Sequence, residues 1–565
     1  MENHEGITMK IILSICIIFL FILSAAGQSG AASWLDFAHP NTPHIDLPNP
    51  NVPASTSALL QGTGDVTVTR PTLVILLEWS DMTHRAEHTT AFWQDMVFGN
   101  NRQLRPSIAD IIRENSNGRL LIVPATAGDS HDGNSDGVVG WVATSQSSTQ
   151  LTSPEKKRAE AIIIADPQFD YNLYDTNNDG LVTTDELLII AVFADNAAVS
   201  QCCFQNPVPN GCVCPSCDQH HSQLQHPQPN GCVWRPGGNT RATDPSQIGV
   251  DQNTPSPNHV YQYIAGVGEM AHEGVVAHEI AHSNLGLGDL YPIDPNACNP
   301  YLEVQDGYTC TGSWFPPSPE HYSMMAQYFF DFTPHLDPWA KIHHGFIKPL
   351  VINHDGVYTL YDAEPIRGVS TQNTFPEAAI IYDPLKNNPY REYFILENRN
   401  QALMQDQGLA VWLINEEGPN WPAGLDARKE IRFIRRGGHW AQMNQSLWNG
   451  VNSTEGYNLT ASSTPRNSGW TGDFPSYVEI RDISQAGASM TFRITIPPIF
   501  VDRANSGTEN GSQALPFNTL QEAITAIPEP PRTIRISGGS YNETFTINKP
   551  CTLKGWRNGS VVIGR

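Results

Sequence analysis

Two histidines four residues apart, His278 and His282, with Glu279 beside the first, are the residues whose types and spacing could do chemistry. On a helix, that interval stacks both imidazoles on one face, one turn apart, where their nitrogens can share a metal ion. Glu279 projects to a neighbouring edge, close enough to take a proton from water at that metal. The surrounding Val275, Val276, Ala277, Ile280 and Ala281 are small or apolar, which suits a helix buried beneath a cleft. A bare His-Glu-x-x-His also occurs by chance, so two incidental histidines on a buried helix are the bland alternative.

A catalytic zinc takes three protein ligands and keeps one position for water. Gly286 and Gly288 stop the helix and let the backbone turn, and Asp289 arrives on the return as a candidate third ligand. Asp294, Glu273 and His321 are near enough in sequence to compete for that place. A second constellation is a twelve-residue loop that fits calcium. Asp175, Asn177 and Asp179 place oxygens at its first, third and fifth positions, and Gly180 makes the sharp turn. Leu181 would supply a carbonyl, Thr183 the ninth position, and Glu186 a bidentate carboxylate at the twelfth. The alternative is an Asx-rich turn without metal. Apolar runs at 161–164 and 187–193 flank the loop, so an ion there would stiffen the core rather than sense calcium.

The elements that must hold these residues read as an α+β half. Residues 72–77 form a continuous apolar run, a buried strand, and 119–123 reads as another. Residues 91–98 and 107–114 read as helices. From 351 the texture changes to short alternating strands at 357–361, 393–397, 410–414, 478–480 and 490–496, the pattern of an antiparallel β-sandwich. In it, Glu392, Glu397 and Arg399 read as a structural charge network rather than a second active site. After 497 come a short amphipathic helix at 515–526 and brief strands at 533–536, 544–547, 551–553 and 561–563.

At 565 residues the chain exceeds one ordinary core. Its formal charge of −24, from 57 acidic and 33 basic side chains, argues against nucleic acid as a partner, because phosphate binding needs a basic surface. The apolar run at 11–24 followed by Ala25-Ala26-Gly27 reads as a signal peptide, 1–27, too short to span a membrane. The protein is expected to be secreted, extracellular or held at the cell surface. Residues 28–70 read as a linker or short pro-segment. Cys202, Cys203, Cys212, Cys214, Cys217 and Cys232 crowd a Pro-rich insertion at 197–258; disulfides suit that compartment, and a zinc knuckle is the alternative. Cys298 and Cys310 read as a staple after the active helix, and Cys551 as a buried leftover thiol.

Taken together, these blocks resemble the immune inhibitor A family of secreted zinc metallopeptidases. The resemblance rests on Val74-Ile-Leu-Leu-Glu-Trp-Ser-Asp81, the loop from Tyr174, the helix and turn from His278 to Tyr291, Tyr322-Ser-Met-Met325, the stretch His335 to Phe346, and Glu392-Tyr-Phe-Ile-Leu-Glu-Asn-Arg399. It covers roughly 70–497. One departure is visible: Gly286 and Asp289 follow His282 by four and seven residues, one more than the family's three and six. The resemblance implies a zincin (metzincin-like) catalytic domain at 71–350, with Met325 or Met324 packed beneath the metal, and a β-sandwich at 351–497. Residues 498–565 resemble the opening coils of a right-handed parallel β-helix of the pectin-lyase-like kind, a fold that needs further turns to bury its core.

The expectation is a zinc metalloendopeptidase acting on protein or peptide substrates, with Glu279 as general base and structural calcium. The rival is a non-catalytic adhesin or glycan-binding protein that keeps the scaffold and makes cell-surface or polysaccharide contacts through the β-helix. An intact Glu279 speaks against the rival, because a dead scaffold has no need of the base.

Overall fold

A computed structural model of the chain describes residues 67–99, 106–130, 133–150, 154–178, 181–194, 259–260, 264–269, 271–285, 287, 290, 322–326, 334–363, 376–381, 392–400, 406–415, 431–434, 447–450, 459, 478–496, 498–527 and 532–564. All of them belong to one compact unit, Ile45–Arg565. The signal-type segment, the insertion at 197–258 with its six cysteines, and Cys298 and Cys310 lie outside the described residues. No helix among the described residues is long and apolar enough to cross a membrane.

The first sheet is built on β1 (Val68–Glu78), whose first residues fall inside the segment read as a linker. Leu73 to Leu77 are fully buried because the strand is covered on both faces, the usual reason for an unbroken apolar run in a parallel sheet. Along one edge, β1 pairs with β2 (Leu120–Pro124) over its first half and with β3 (Val138–Ala143) over its second. Along the other edge lies β5 (Leu188–Phe193), then β7 (Ala265–Gly268), all of these pairs parallel. Parallel neighbours need crossovers, supplied in part by α1 (Thr90–Phe98), α2 (Ile108–Asn115) and α3 (Pro154–Ala165). The first two start on side-chain caps: Thr89 accepts from the Phe92 N–H and Ser107 from the Asp110 N–H. A separate two-stranded pair joins β4 (Leu181–Val182) to β6 (His259–Val260). From β7 a short turn leads into α4 (Glu273–Leu285), whose thirteen residues are all buried.

Two further sheets share one apolar core. The larger has the order β13 (Ile431–Phe433), β12 (Gly408–Asn415), β11 (Glu392–Arg399), β10 (Ala378–Ile381), β8 (Leu350–Ile352). The smaller is β14 (Glu479–Arg481), β15 (Ser489–Thr495), β9 (Gly356–Tyr361). One pairing departs from the expected antiparallel pattern: β8 and β10 run parallel. Between them in sequence the chain crosses to the other sheet as β9, which supplies the crossover a parallel pair requires. Beyond lie three adjacent parallel strands, β16 (Ile499–Val501), β17 (Arg532–Tyr541) and β18 (Cys551–Ile563).

Four details of this last part differ from the sequence expectation, the first being that 551–553 and 561–563 belong to the single strand β18. The segment 544–547 is not a strand, and its neighbour Glu543 instead caps the helix α6 (Leu520–Thr525) by accepting from the Leu520 and Gln521 N–H groups. That helix starts at Leu520 rather than 515, because Thr519 and Glu522 close a capping box there. Cys551 is free and only half-buried, and partial burial pushes its thiol pKa up.

Glu397 and Arg399 lie alternate on β11 and are both fully buried, with Arg399 Nε donating to Glu397 Oε1 over 2.7 Å. Trp412 Nε1 donates to the same oxygen, and an Arg399 amino group donates to the Leu336 carbonyl. Removing one member of a buried pair leaves a desolvated charge, which costs about 3–5 kcal/mol. Glu397→Ala is therefore expected to lower unfolding stability by that order in urea denaturation, more than any exposed ion pair. A change under about 1 kcal/mol would show that water reaches this pair.

Candidate metal centre

Helix α4 carries both histidines, and its two ends are tied down by hydrogen bonds. At the helix start the His272 Nδ1 accepts from the Gly274 N–H over 3.2 Å. At its end the Leu287 N–H returns to the Ala281 carbonyl, and Asn284 donates to the Thr184 carbonyl of the loop before β5. A fixed helix in a fully buried setting leaves the imidazoles few orientations.

Both rings are pinned through the same nitrogen. His278 Nδ1 is 2.7 Å from the Met324 carbonyl oxygen, and His282 Nδ1 is 2.5 Å from that of Leu287. A carbonyl only accepts, so each Nδ1 carries a proton, and a neutral ring then presents its lone pair at Nε2. Those two Nε2 atoms face one another across 3.0 Å, with the ring planes crossed at 88°. Two lone pairs so placed repel, and a cation between them turns repulsion into attraction. With metal–nitrogen bonds of about 2.0–2.1 Å, tetrahedral geometry sets two ligand nitrogens roughly 3.3–3.4 Å apart. The observed spacing lies within a few tenths of an ångström of that.

Glu279 completes the group: ligand atoms of His278, Glu279 and His282 all lie within 4.8 Å of one another, and all three residues are buried. Two neutral imidazoles beside a carboxylate form a borderline donor set, suited to zinc-class ions rather than to magnesium or calcium. The residues thus fit a transition metal by chemistry and by spacing.

The Met324 carbonyl belongs to a tight turn, residues 322–326, with Met324 and Met325 fully buried. The Met324 N–H donates to the His335 carbonyl and the Ala326 N–H to the Ser323 carbonyl. Ser323 Oγ accepts from the Met325 N–H and donates to Asp337 Oδ2. Burial raises the Asp337 pKa, partly offset by the Ala340 N–H that its carboxylate accepts at the start of α5 (Pro338–His343). The Leu290 N–H donates to the Met325 carbonyl.

Of the residues expected at the centre, the structure brings together His278, Glu279 and His282. Asp289 and the glycines before it lie outside the described residues, as do Asp294 and His321. Leu287 and Leu290, on either side of Asp289 in sequence, each bond to the site. Glu273 is buried in the first turn of α4 and is not part of the group. In the calcium-type loop, Asp179 and Gly180 are likewise outside, and of Leu181 only the backbone is described. Both oxygens of Glu186 are used within the loop: one accepts from the Thr176 N–H and hydroxyl and the Asn177 N–H, the other from the Thr183 N–H and hydroxyl. Asn178 adopts the left-handed conformation, φ 58°, that asparagine tolerates. Asp175 caps the preceding helical turn.

Sequence reasoning missed the two carbonyls that pin the rings. Backbone acceptors carry no residue signature, and only the methionine pair two residues past Tyr322 pointed toward one of them. No protein-family model matches the chain, and no curated protein matches it.

His344, just after α5, donates a ring N–H to the carbonyl of Leu285 at the end of α4. Burial and the neighbouring His343 depress its pKa to about 3, against that hydrogen bond, which works upward. The unfolded ring takes a proton near pH 6.5 while the folded one stays neutral. Its contribution to stability is therefore complete above about pH 6.5 and is lost as pH falls toward 3. The melting temperature of the wild type is expected to fall more steeply between pH 7 and pH 4 than that of His344→Gln. Parallel curves would contradict this.

Proposed function

We propose that the chain is a secreted, metal-dependent endopeptidase that hydrolyses peptide bonds in proteins or peptides. Zinc is the proposed metal, with His278 and His282 as ligands and Asp289 as the third. The observation that carries this reading is the facing of two Nε2 atoms at 3.0 Å, both rings held by Nδ1–H···O=C bonds, with Glu279 in the same buried group. A chance His-Glu-x-x-His on a structural helix has no reason to spend two backbone carbonyls on setting both tautomers. When bound, the metal supplies Lewis acidity toward water and the scissile carbonyl.

The residues divide the remaining work. The carbonyls of Met324 and Leu287 hold the rings and raise their basicity. A Glu279 carboxylate oxygen takes a proton from the attacking water and delivers it to the leaving amine nitrogen. Burial of the whole of α4 keeps bulk water from competing for these bonds. The fold labels are part of the same proposal: a zincin-like half on the parallel sheet, a β-sandwich behind it, and in β16–β18 the opening coils of a β-helix.

For the loop Asp175–Glu186 we propose calcium in a structural role, with Asp175, Asn177, Asp179, Leu181, Thr183 and Glu186 as donors. Support comes from the way Glu186 gathers N–H groups from both arms of the loop, and from the Asn284–Thr184 bond that ties it to α4.

Two experiments test these assignments. The purified protein should cleave unfolded casein and lose that activity with a zinc chelator. Glu279→Gln should retain stoichiometric zinc while activity falls on the order of 100- to 10,000-fold. Activity that survives chelation, or a variant within tenfold of wild type, would overturn the metal-dependent mechanism, and a wild type that leaves casein uncut would be a non-catalytic binding protein. Calcium at 100 times its dissociation constant should stabilise the fold by about 2.7 kcal/mol. The melting temperature should accordingly drop in EGTA, and Glu186→Ala should abolish that difference. Identical melting with calcium and with EGTA would show a loop closed by hydrogen bonds alone.

A further inference from the structure

We propose that Asp406, a β-sandwich residue remote in sequence from the histidine helix, is a positioning residue for the metal centre, acting through Tyr322 on the turn that orients His278. The inference rests on the metal-site reading above and adds to it a requirement for the second domain.

The path is short and continuous. His278 owes its ring orientation to the Met324 carbonyl, 2.7 Å away. Two residues earlier, Tyr322 is fully buried, and a buried phenol needs a hydrogen-bond partner. Its hydroxyl donates to Asp406 Oδ2 over 2.7 Å. The same oxygen accepts the Leu447 N–H at 2.8 Å, so the carboxylate is itself anchored from the other side. The Tyr322 ring stacks on Phe433 of β13, with centroids 4.6 Å apart, and Phe433 packs against Trp412 of β12 at 4.8 Å. The turn is thus fastened to the sandwich by a hydrogen bond to a carboxyl group and by a ring stack.

A carboxylate taken out of water is expensive, and Asp406 is 4% exposed. An apolar residue there would give an ordinary packed joint. What the carboxyl group adds is a directional hydrogen bond to the Tyr322 hydroxyl. That kind of bond fixes the height and rotation of the turn, and with it the acceptor that selects the His278 tautomer. The other ties on the turn (Met324 to His335, Ser323 to Asp337) reach the 335–337 segment, which Arg399 holds through the Leu336 carbonyl. Both routes therefore end on strands of the sandwich.

The alternative is that Asp406 merely satisfies a buried tyrosine. The two roles separate when metal affinity is read apart from folding. Tyr322→Phe deletes one oxygen and keeps the ring stack, and Asp406→Asn keeps an acceptor but removes its charge. Both are made in the full chain carrying Glu279→Gln, which prevents self-digestion, and titrated with cobalt(II) well below the melting temperature. Tyr322→Phe is expected to weaken cobalt binding about tenfold and to change the visible d–d spectrum. Asp406→Asn should fall between it and the parent, and the double variant should be no weaker than Tyr322→Phe, because both substitutions act on the same bond. Melting of the metal-free proteins supplies the structural control. Variants that bind cobalt within about twofold of the parent, with its spectrum, would overturn the positioning role while leaving the metal centre intact. A parent that takes up no cobalt, like a His278→Ala control, would overturn the metal centre and this inference with it.

Discussion

Everything at the centre depends on two Nδ1–H···O=C bonds, from His278 to Met324 and from His282 to Leu287. Each removes one of the two places where an imidazole can carry its proton. With both made, a neutral ring presents its lone pair at Nε2, and the helix spacing points the two Nε2 atoms at each other. An apolar core would gain nothing from such an arrangement. A cation between the two nitrogens would relieve that opposition, which is why the arrangement supports the proposed metal.

That constraint reaches outward through the fold. The Leu287 carbonyl is local, supplied where α4 turns back on itself. The Met324 carbonyl comes from 46 residues further along the chain, so the rest of the structure must bring it there. The parallel sheet delivers α4 through β7, and the sandwich delivers the turn through Tyr322, Asp406 and the Leu336 segment. Buried and half-buried polar groups join the two: Glu397 and Arg399, Asn115, whose side-chain oxygen accepts the Leu336 N–H, and Glu114 beside His335. Such a joint is more exacting than an apolar one, because every member must find its partner. The site is a product of both halves rather than of a catalytic half with an appendage.

How much of this was legible in the sequence depended on whether the signal was local. The helix, its two histidines and Glu279 follow from spacing alone. Strand β1 follows from its apolar run, and the alternating strands of the sandwich from period two, whereas the apolar runs at 161–164 and 187–193 became a helix and a strand that composition did not tell apart. The parallel pairing of β8 with β10 was not legible, because strand direction depends on where β9 goes and not on the composition of β8. The lost strand at 544–547 shows local β propensity yielding to a longer-range need, since Glu543 is taken up as a helix cap. The pinning carbonyls left no trace, for every residue has one. Tyr322 stood in plain view, yet its acceptor lies 84 residues away, beyond any pattern a single sequence displays.

The central claim is that His278 and His282 ligate one metal through Nε2. X-ray absorption at the zinc edge of the loaded, full-length protein measures this most directly. The account predicts two imidazole nitrogens in the first shell at about 2.0–2.1 Å, with outer-shell scattering of Nε2-bound rings, and loss of one ring in either His278→Ala or His282→Ala. A first shell of oxygens alone, or a spectrum unchanged by those substitutions, would contradict it.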